Sequence, residues 1–224
     1  MAAPKIGLIF HGIGTPGRVL EPGEAPYWLS VTQFEQVLDK ITAHHRPDQF
    51  RISFDDSNLS DHDIALPRLV KRGLRADFFV LSGRVGRAGS LGAAQIRALR
   101  DAGMAIGSHG VAHRNWRALD DLELAAELSD SRAALQAICD RPITQAGVPF
   151  GSYDARVLAK LRQAGYVAAY TSDRGRMNPD AFLRPRSSVK GTMGPAEIDT
   201  VLSGQLPPLL RLRRAVSMLR RRMG

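Results

Sequence analysis

Cysteine is almost missing: Cys139 stands alone in 224 residues. A single thiol excludes an internal disulfide framework and points to a reducing compartment. Long apolar runs are missing as well. No window approaches the ~18 apolar residues of a spanning helix. The opening MAAPKIGLIFHG has neither a basic leader nor a long enough apolar stretch for a secretory signal. The expected setting is therefore the cytoplasm, peripheral at most to the inner face of the membrane. No glycine-rich loop ends in Lys-Ser or Lys-Thr, so Gly12-Ile13-Gly14-Thr15-Pro16-Gly17 is not a nucleotide loop. It reads as a mobile loop. No nucleic-acid-reading motif is recognisable either, and nucleic acid is not an expected partner.

What remains is an ordinary globular composition, 44% hydrophobic and 24% charged, in a chain long enough for one large α/β domain. The net charge of +9 is concentrated at the end. After Pro208 come Arg211, Arg213, Arg214, Arg220, Arg221 and Arg222, with no acid among them.

Apolar runs predict strands at Lys5–His11, Phe50–Phe54, Ala76–Leu81, Met104–Gly107, Ile143–Val148, Tyr166–Thr171 and Phe182–Val189, the last broken by Pro185. Between them lie helical periods beginning near Ser30, Asp61, Leu91, Leu119 and Ala155, with another at Pro195. About seven strands alternating with helices predict a parallel sheet with helical crossovers. His11, Asp55-Asp56, His109 and Phe150-Gly151 all fall at or just past the C-terminal ends of different strands, where barrels place their catalytic rim. No linker precedes ~205, so residues 1–205 read as one domain and 206–224 as an appended basic amphipathic helix.

His109 and His113 are four apart, a spacing that points both rings one way on a helix or tight loop. With one carboxylate they meet the three-ligand count of an open catalytic metal site. They fit equally as exposed or capping residues of a glycine-rich loop. Asp55-Asp56 is also ambiguous alone. One carboxylate could ligate a cation while the other takes a proton, or both could be helix-capping loop residues.

Taken in order, Ser-Phe-Asp-Asp at 53–56, Ser-His-x-x-x-His at 108–113 and Pro-Phe-Gly-Ser-Tyr-Asp at 149–154 resemble the polysaccharide deacetylase family, the NodB-homology or carbohydrate esterase family 4. The resemblance covers residues 5 to 190. It implies a distorted (β/α)7 barrel, with Asp55 as catalytic base and Asp56, His109 and His113 as ligands of one divalent metal. Zinc is the first expectation for that metal, with nickel, cobalt, iron and manganese as alternatives. It also implies that Pro149, Phe150 and Gly151 surround the developing oxyanion. Most members carry the acid histidine in a late motif, but this chain has no histidine after His113. His11, in Phe-His-Gly-Ile, looks like the equivalent residue of a circularly permuted subgroup.

Three features depart from the family pattern. The first-motif glycine is Ser57, the third-motif arginine is Gly147, and the aspartate-tryptophan fourth motif is not recognisable, although Asp173 lies in that region. Arg184 or Arg186 is the expected substitute for the arginine. The implied activity is N-deacetylation of an N-acetylated sugar in a polysaccharide or lipid-linked glycan. Deformylation or ester hydrolysis would use the same chemistry, and a non-catalytic glycan-binding module is the rival from another class. Tyr27 and Trp28 could stack on a sugar or pack in the core. His44, His45 and His62 read as surface. In the tail, Leu209, Leu212, Val216, Leu219 and Met223 recur at helical spacing. Such a helix could lie on anionic lipid or pack on the barrel with its arginines in solvent.

Overall fold

The computed structural model describes residues 3–223, except for the side chains at 209, 210, 213, 217, 220, 222 and 223. In chain order the strands are β1 (Lys5–Phe10), β2 (Gly12–Ile13), β3 (Trp28–Leu29), β4 (Phe50–Phe54), β5 (Ala76–Val80), β6 (Ala105–Ser108), β7 (Gln145–Gly147), β8 (Ala168–Thr171), β9 (Arg176–Met177), β10 (Leu183–Pro185) and β11 (Ser187–Ser188). The helices are α1 (Val31–Ala43), α2 (Leu66–Lys71), α3 (Ala93–Asp101), α4 (Asp121–Cys139), α5 (Ala155–Gln163), α6 (Pro195–Ser203) and α7 (Pro208–Met223). The main sheet runs β10-β8-β7-β6-β5-β4-β1-β11, all parallel.

The two ends of that order belong to one broken strand. β10 pairs with β8 and β11 pairs with β1, and Arg186 lies at the break between them. The interruption expected at Pro185 is thus where the barrel passes from one edge to the other, and it leaves seven staves as expected. The second sequence break is subtler. The strand expected from Ile143 begins only at Gln145, because Ile143 spends its N–H on the Gln136 side chain and its carbonyl on Arg132. The helix expected from Leu119 begins at Asp121, where Asp120 and Glu123 cap each other.

Strand alternation separates two cores. Phe10, Ile52, Phe54, Phe78 and Val80 belong to the large apolar layer between sheet and helices, joined by Phe34, Val37, Leu38 and Ile41 of α1. Phe79, Ala168, Tyr170 and Met177 form a small separate cluster. It fills the barrel only because glycines face it: a Cβ at Gly107 would come 2.6 Å from the Phe79 ring, and one at Gly147 would come 2.9 Å from it.

Two expectations about the periphery are corrected. The segment Gly12–Gly17 is tied down rather than loose. Gly12–Ile13 pairs with Trp28–Leu29, Gly14 N–H donates to Leu29 O at 2.8 Å, and Arg18 bridges Glu24 and Asn58. Trp28 covers Gly12, so it is structural. Of the histidines read as surface, His45 is exposed, but His44 and His62 are half-buried, His44 meeting Phe50 edge-on and contacting Gln49 and His62 pairing with Asp63.

The orientation of α7 is the reverse of the expected packing on the barrel with arginines in solvent. Arg214 and Arg221 face the barrel and Leu212, Val216 and Leu219 face outward. The stripe positions Leu209 and Met223, and Arg213, Arg220 and Arg222, lie outside the residues whose side chains are described.

Candidate metal centre and catalytic cleft

The cleft opens at the C-terminal ends of the strands and encloses about 750 Å³. His11, Asp55, Asp56, His109, His113, Phe150, Gly151 and Arg186 all line it. Residues spread over 175 positions of sequence therefore meet because they are carried by the ends of five different staves.

β4 delivers the two aspartates and then turns sharply. Asp55 N–H still donates to Phe10 O at 3.0 Å, as though the strand continued. Asp56 and Ser57 then take positive φ, 74° and 61°. Such backbone favours glycine, which the family motif carries at Ser57. Serine is tolerated because its Oγ accepts from Leu81 N–H at 2.6 Å, a buried bond that glycine could not make. The turn separates the two carboxylates, which point to different partners.

Asp55 points into the barrel. Arg186 grips it with two bonds, Nη1 to Oδ1 at 2.8 Å and Nη2 to Oδ2 at 3.0 Å, and donates a third to Ser53 Oγ at 2.7 Å. Arg186 is 1% exposed and lies with Cζ 4.8 Å over the Phe79 ring. Burial alone would raise the Asp55 pKa. The guanidinium, with His109 and His11 behind it, outweighs burial and holds the carboxyl below its ordinary range. Of the two arginines expected to replace the one missing at Gly147, Arg186 is the one in place. Arg184 instead bonds Tyr170 OH and Ala181 O.

Asp56 points to the histidines. Its Oδ1 is 3.4 Å from His109 Nε2 and 3.3 Å from His113 Nε2, and has no hydrogen-bond partner among the described residues. The other nitrogen of each ring is already engaged. His109 Nδ1 donates to Gly147 O at 2.8 Å, and His113 Nδ1 donates to Glu21 Oε2 at 2.8 Å. Those bonds fix the tautomers, so two imidazole lone pairs and a carboxylate oxygen converge with no hydrogen between them. Such a set repels itself unless a cation sits in the middle. Asp56, His109 and His113 offer atoms all within 4.8 Å of one another, and this orphaned donor set fits a divalent ion. Burial would raise the Asp56 pKa, but the facing imidazoles take it well below the carboxylate range. Burial would likewise lower His109, yet the two aspartate charges raise it.

The histidine loop is not helical, although a helix was one expectation for the spacing. Gly110 and His113 take positive φ, 86° and 53°. Glu127 of α4 holds the turn by accepting from Val111 N–H at 2.8 Å and Ala112 N–H at 3.2 Å. Phe150, also at positive φ (57°), lays its ring on His113 with centroids 4.4 Å apart. Gly151 N–H is spent on Val148 O at 3.0 Å, and Pro149 has no N–H, which leaves Phe150 as the residue of the expected trio with an amide to offer. His11, at the end of β1, packs against Tyr27 with centroids 4.8 Å apart, and its Nδ1 is buried without a partner among the described residues. Burial lowers its pKa against the pull of Asp56 and Asp55. Asp61 is buried nearby, and burial with those same two charges raises its pKa well above normal.

Glu21, Glu127 and Asp61 had not been singled out in the sequence. Glu127 had a legible signal, being an acid between Leu124 and Leu128 on the buried face of α4. Glu21 had none, because its loop reaches His113 across 92 positions. Asp173 does not join the centre; it accepts from Tyr153, Thr171 and Arg221 and anchors the end of the chain.

Gly147 explains its own departure from the motif. A Cβ there would lie 2.9 Å from Phe79 and 3.1 Å from His109 Nδ1. Gly147→Ala should therefore lower stability by about 1–3 kcal/mol and weaken the bond that orients His109. Urea unfolding and a metal titration of the same variant check both. Unchanged values for each would remove the steric account.

Comparison with known proteins yields consistent matches. The family model for polysaccharide deacetylase matches residues 36–169. A putative polysaccharide deacetylase, YxkH of Bacillus subtilis (strain 168), is 23% identical over 198 residues, covering 84% of this chain and 71% of its own. Among solved structures, the Streptococcus pyogenes deacetylase PplD in complex with acetate superposes with a TM-score of 0.76 at 20% identity, covering 92% of this chain and all of its own. IcaB from Ammonifex degensii superposes with a TM-score of 0.72 at 20% identity, covering 92% and 98%. At these identities the structures establish the shared barrel fold.

Proposed function

The chain belongs to the polysaccharide deacetylase family, and on that premise we propose that its cleft removes the N-acetyl group from an N-acetylated sugar, in a polysaccharide or a lipid-linked glycan. The observation that carries this reading is the division of labour between adjacent aspartates. Asp55 is locked to Arg186 and kept ionised, while Asp56 is turned to two imidazoles whose other nitrogens are occupied.

In this reading Asp56, His109 and His113 hold one divalent cation, zinc by donor type. When bound, it supplies Lewis-acid polarisation of the acyl carbonyl and a more acidic water. Asp55 takes the proton from the attacking water, which its depressed pKa keeps it free to do across neutral pH. The Phe150 N–H donates to the acyl oxygen as negative charge develops there. His11, from the N-terminal strand as in the permuted subgroup, gives the proton to the leaving nitrogen. Tyr27 and Lys190, which pack together at 4.6 Å beside His11, offer a ring and a cation to the sugar. The missing motif arginine had favoured a non-catalytic module, but Arg186 fills that role from another stave.

The test is release of free amine from N-acetylated sugar oligomers, run beside formylated and O-acetylated analogues. Amine release from the acetamide supports the proposal. Release only from formamide or ester substrates would replace it with the corresponding deformylase or esterase.

Glu21 should matter to the cation without touching it. Its carboxylate joins His113 to Arg84, an arrangement that orients a ligand ring and strengthens it as a base. Glu21→Ala should weaken metal binding about 10–100-fold in a chelator competition titration, with unfolding little changed because the side chain is part-exposed at the cleft rather than in the core. Unaltered affinity would reduce the Glu21–His113 bond to a surface contact.

A further inference from the structure

Helix α7 shows its apolar side to solvent. Arg214 Nε donates to Asp173 O at 2.9 Å, and Arg221 Nη1 donates to Gly151 O at 3.1 Å and to Asp173 Oδ1 at 2.8 Å. With partly buried Met218, these side chains form the face against the barrel. On the opposite face Leu212, Val216 and Leu219 are 64%, 41% and 58% exposed. A helix of this length ordinarily gains its stability by burying its apolar stripe. Here polar anchors attach the helix, and the stripe is left for something else.

The charge around the stripe narrows what that is. Six arginines follow Pro208, and of these Arg211 is exposed beside Leu212. No acid occurs from 208 to 224. A second copy of the chain would bring two such acid-free, arginine-rich helices together, and their charges would repel. A surface of negative headgroups over an apolar interior satisfies both parts at once. α7 is also neither long nor apolar enough to cross a bilayer, and no helix of the described residues is.

We propose that the outer face of α7 adsorbs to an anionic lipid bilayer, with Leu212, Val216 and Leu219 entering the headgroup boundary and the positive charge of the helix drawing it to lipid phosphates. The position of the helix gives this a consequence. Leu206 and Pro207, just before α7, line the catalytic cleft, and Arg221 bonds the carbonyl next to Phe150, itself 63% exposed. Adsorption would hold the mouth of the cleft beside the headgroups, where the sugar of a lipid-linked glycan lies. That consequence rests on the deacetylase reading; adsorption itself does not.

The experiment is co-sedimentation of the full chain with vesicles of phosphatidylcholine alone and of phosphatidylcholine mixed with phosphatidylglycerol. The expected result is binding to the mixed vesicles only, weakened by added salt. The variant L212S/L219S should partition about tenfold less per leucine removed, with its circular dichroism and metal content unchanged. A second variant, L219W, should shift its fluorescence to the blue on adding the mixed vesicles and not the neutral ones. Absence of binding to mixed vesicles would overturn the proposal. So would undiminished binding of the double serine variant, since arginines alone would then suffice. A lipid-free dimer that dissociates in L212S/L219S would assign the face to a second copy instead. Vesicle binding as expected together with no amine release would leave adsorption standing and remove only the catalytic reading.

Discussion

Replacing Asp55 by asparagine should slow amine release by about 10²–10⁴-fold and leave metal content at the level of the parent. The two outcomes separate because the two neighbouring carboxylates are turned apart. Asp55 is bound through both oxygens to Arg186, and the oxygen that faces the histidines belongs to Asp56. Asparagine keeps the volume and one acceptor for Arg186 but cannot take a proton from water. Its amide also presents N–H groups to a guanidinium, so some loss of stability is expected. Thermal unfolding measured alongside keeps that loss apart from the loss of rate. Turnover near the parental rate would remove Asp55 as base. Metal lost along with turnover would instead make Asp55 part of the ligand set.

Replacing Arg186 by methionine should cost about 3–5 kcal/mol of stability at neutral pH, the range for stranding one member of a buried ion pair. The cost should depend on pH, with a sign set by Asp55. In the parent its folded pKa lies below the ordinary 3.8, so the pair contributes stability above that value and loses it as pH falls through the folded pKa. Without Arg186, burial dominates and the folded pKa rises above the unfolded one. The variant then keeps a protonated, neutral Asp55 at acid pH and loses stability as pH rises through the ordinary carboxylate range. Urea unfolding at roughly pH 4 and pH 7 should show a small deficit at the first and the large one at the second. Because the base must be ionised, the acid limb of the pH–rate profile should also move to higher pH. Arg186→Lys keeps the charge without the two-pronged grip and should fall between. An equal deficit at both pH values would mean that Arg186 stabilises by filling the barrel rather than by holding a charge.

The fold was largely legible because its signals are local. Seven apolar runs with helical periods between them specify staves and crossovers, and the polar residues ending those runs mark the rim. The cluster of Asp56, His109 and His113 was legible for the same reason: each follows a strand end in a recognisable short pattern. What could not be read was anything decided by which staves are neighbours. Arg186 occupies the barrel interior because Gly7 leaves room for it beside Met177, and no local pattern distinguishes it from Arg184 two positions earlier. Glu21 reaches His113 only after the 12–29 segment folds back as a short parallel pair. The helical period in 209–223 was readable, but its facing was not. That was settled by Asp173, whose carboxylate and carbonyl draw arginines inward and turn the leucines out.

The central claim is that Asp56, His109 and His113 together hold one catalytic cation. Elemental analysis of protein stripped with chelator, reloaded and desalted tests it most directly when paired with an amine-release assay on the same samples. The account predicts one divalent ion per chain and restored turnover in the parent, and neither in Asp56→Ala or His109→Ala. Full turnover in the stripped parent, or a stoichiometric ion in Asp56→Ala, would contradict it.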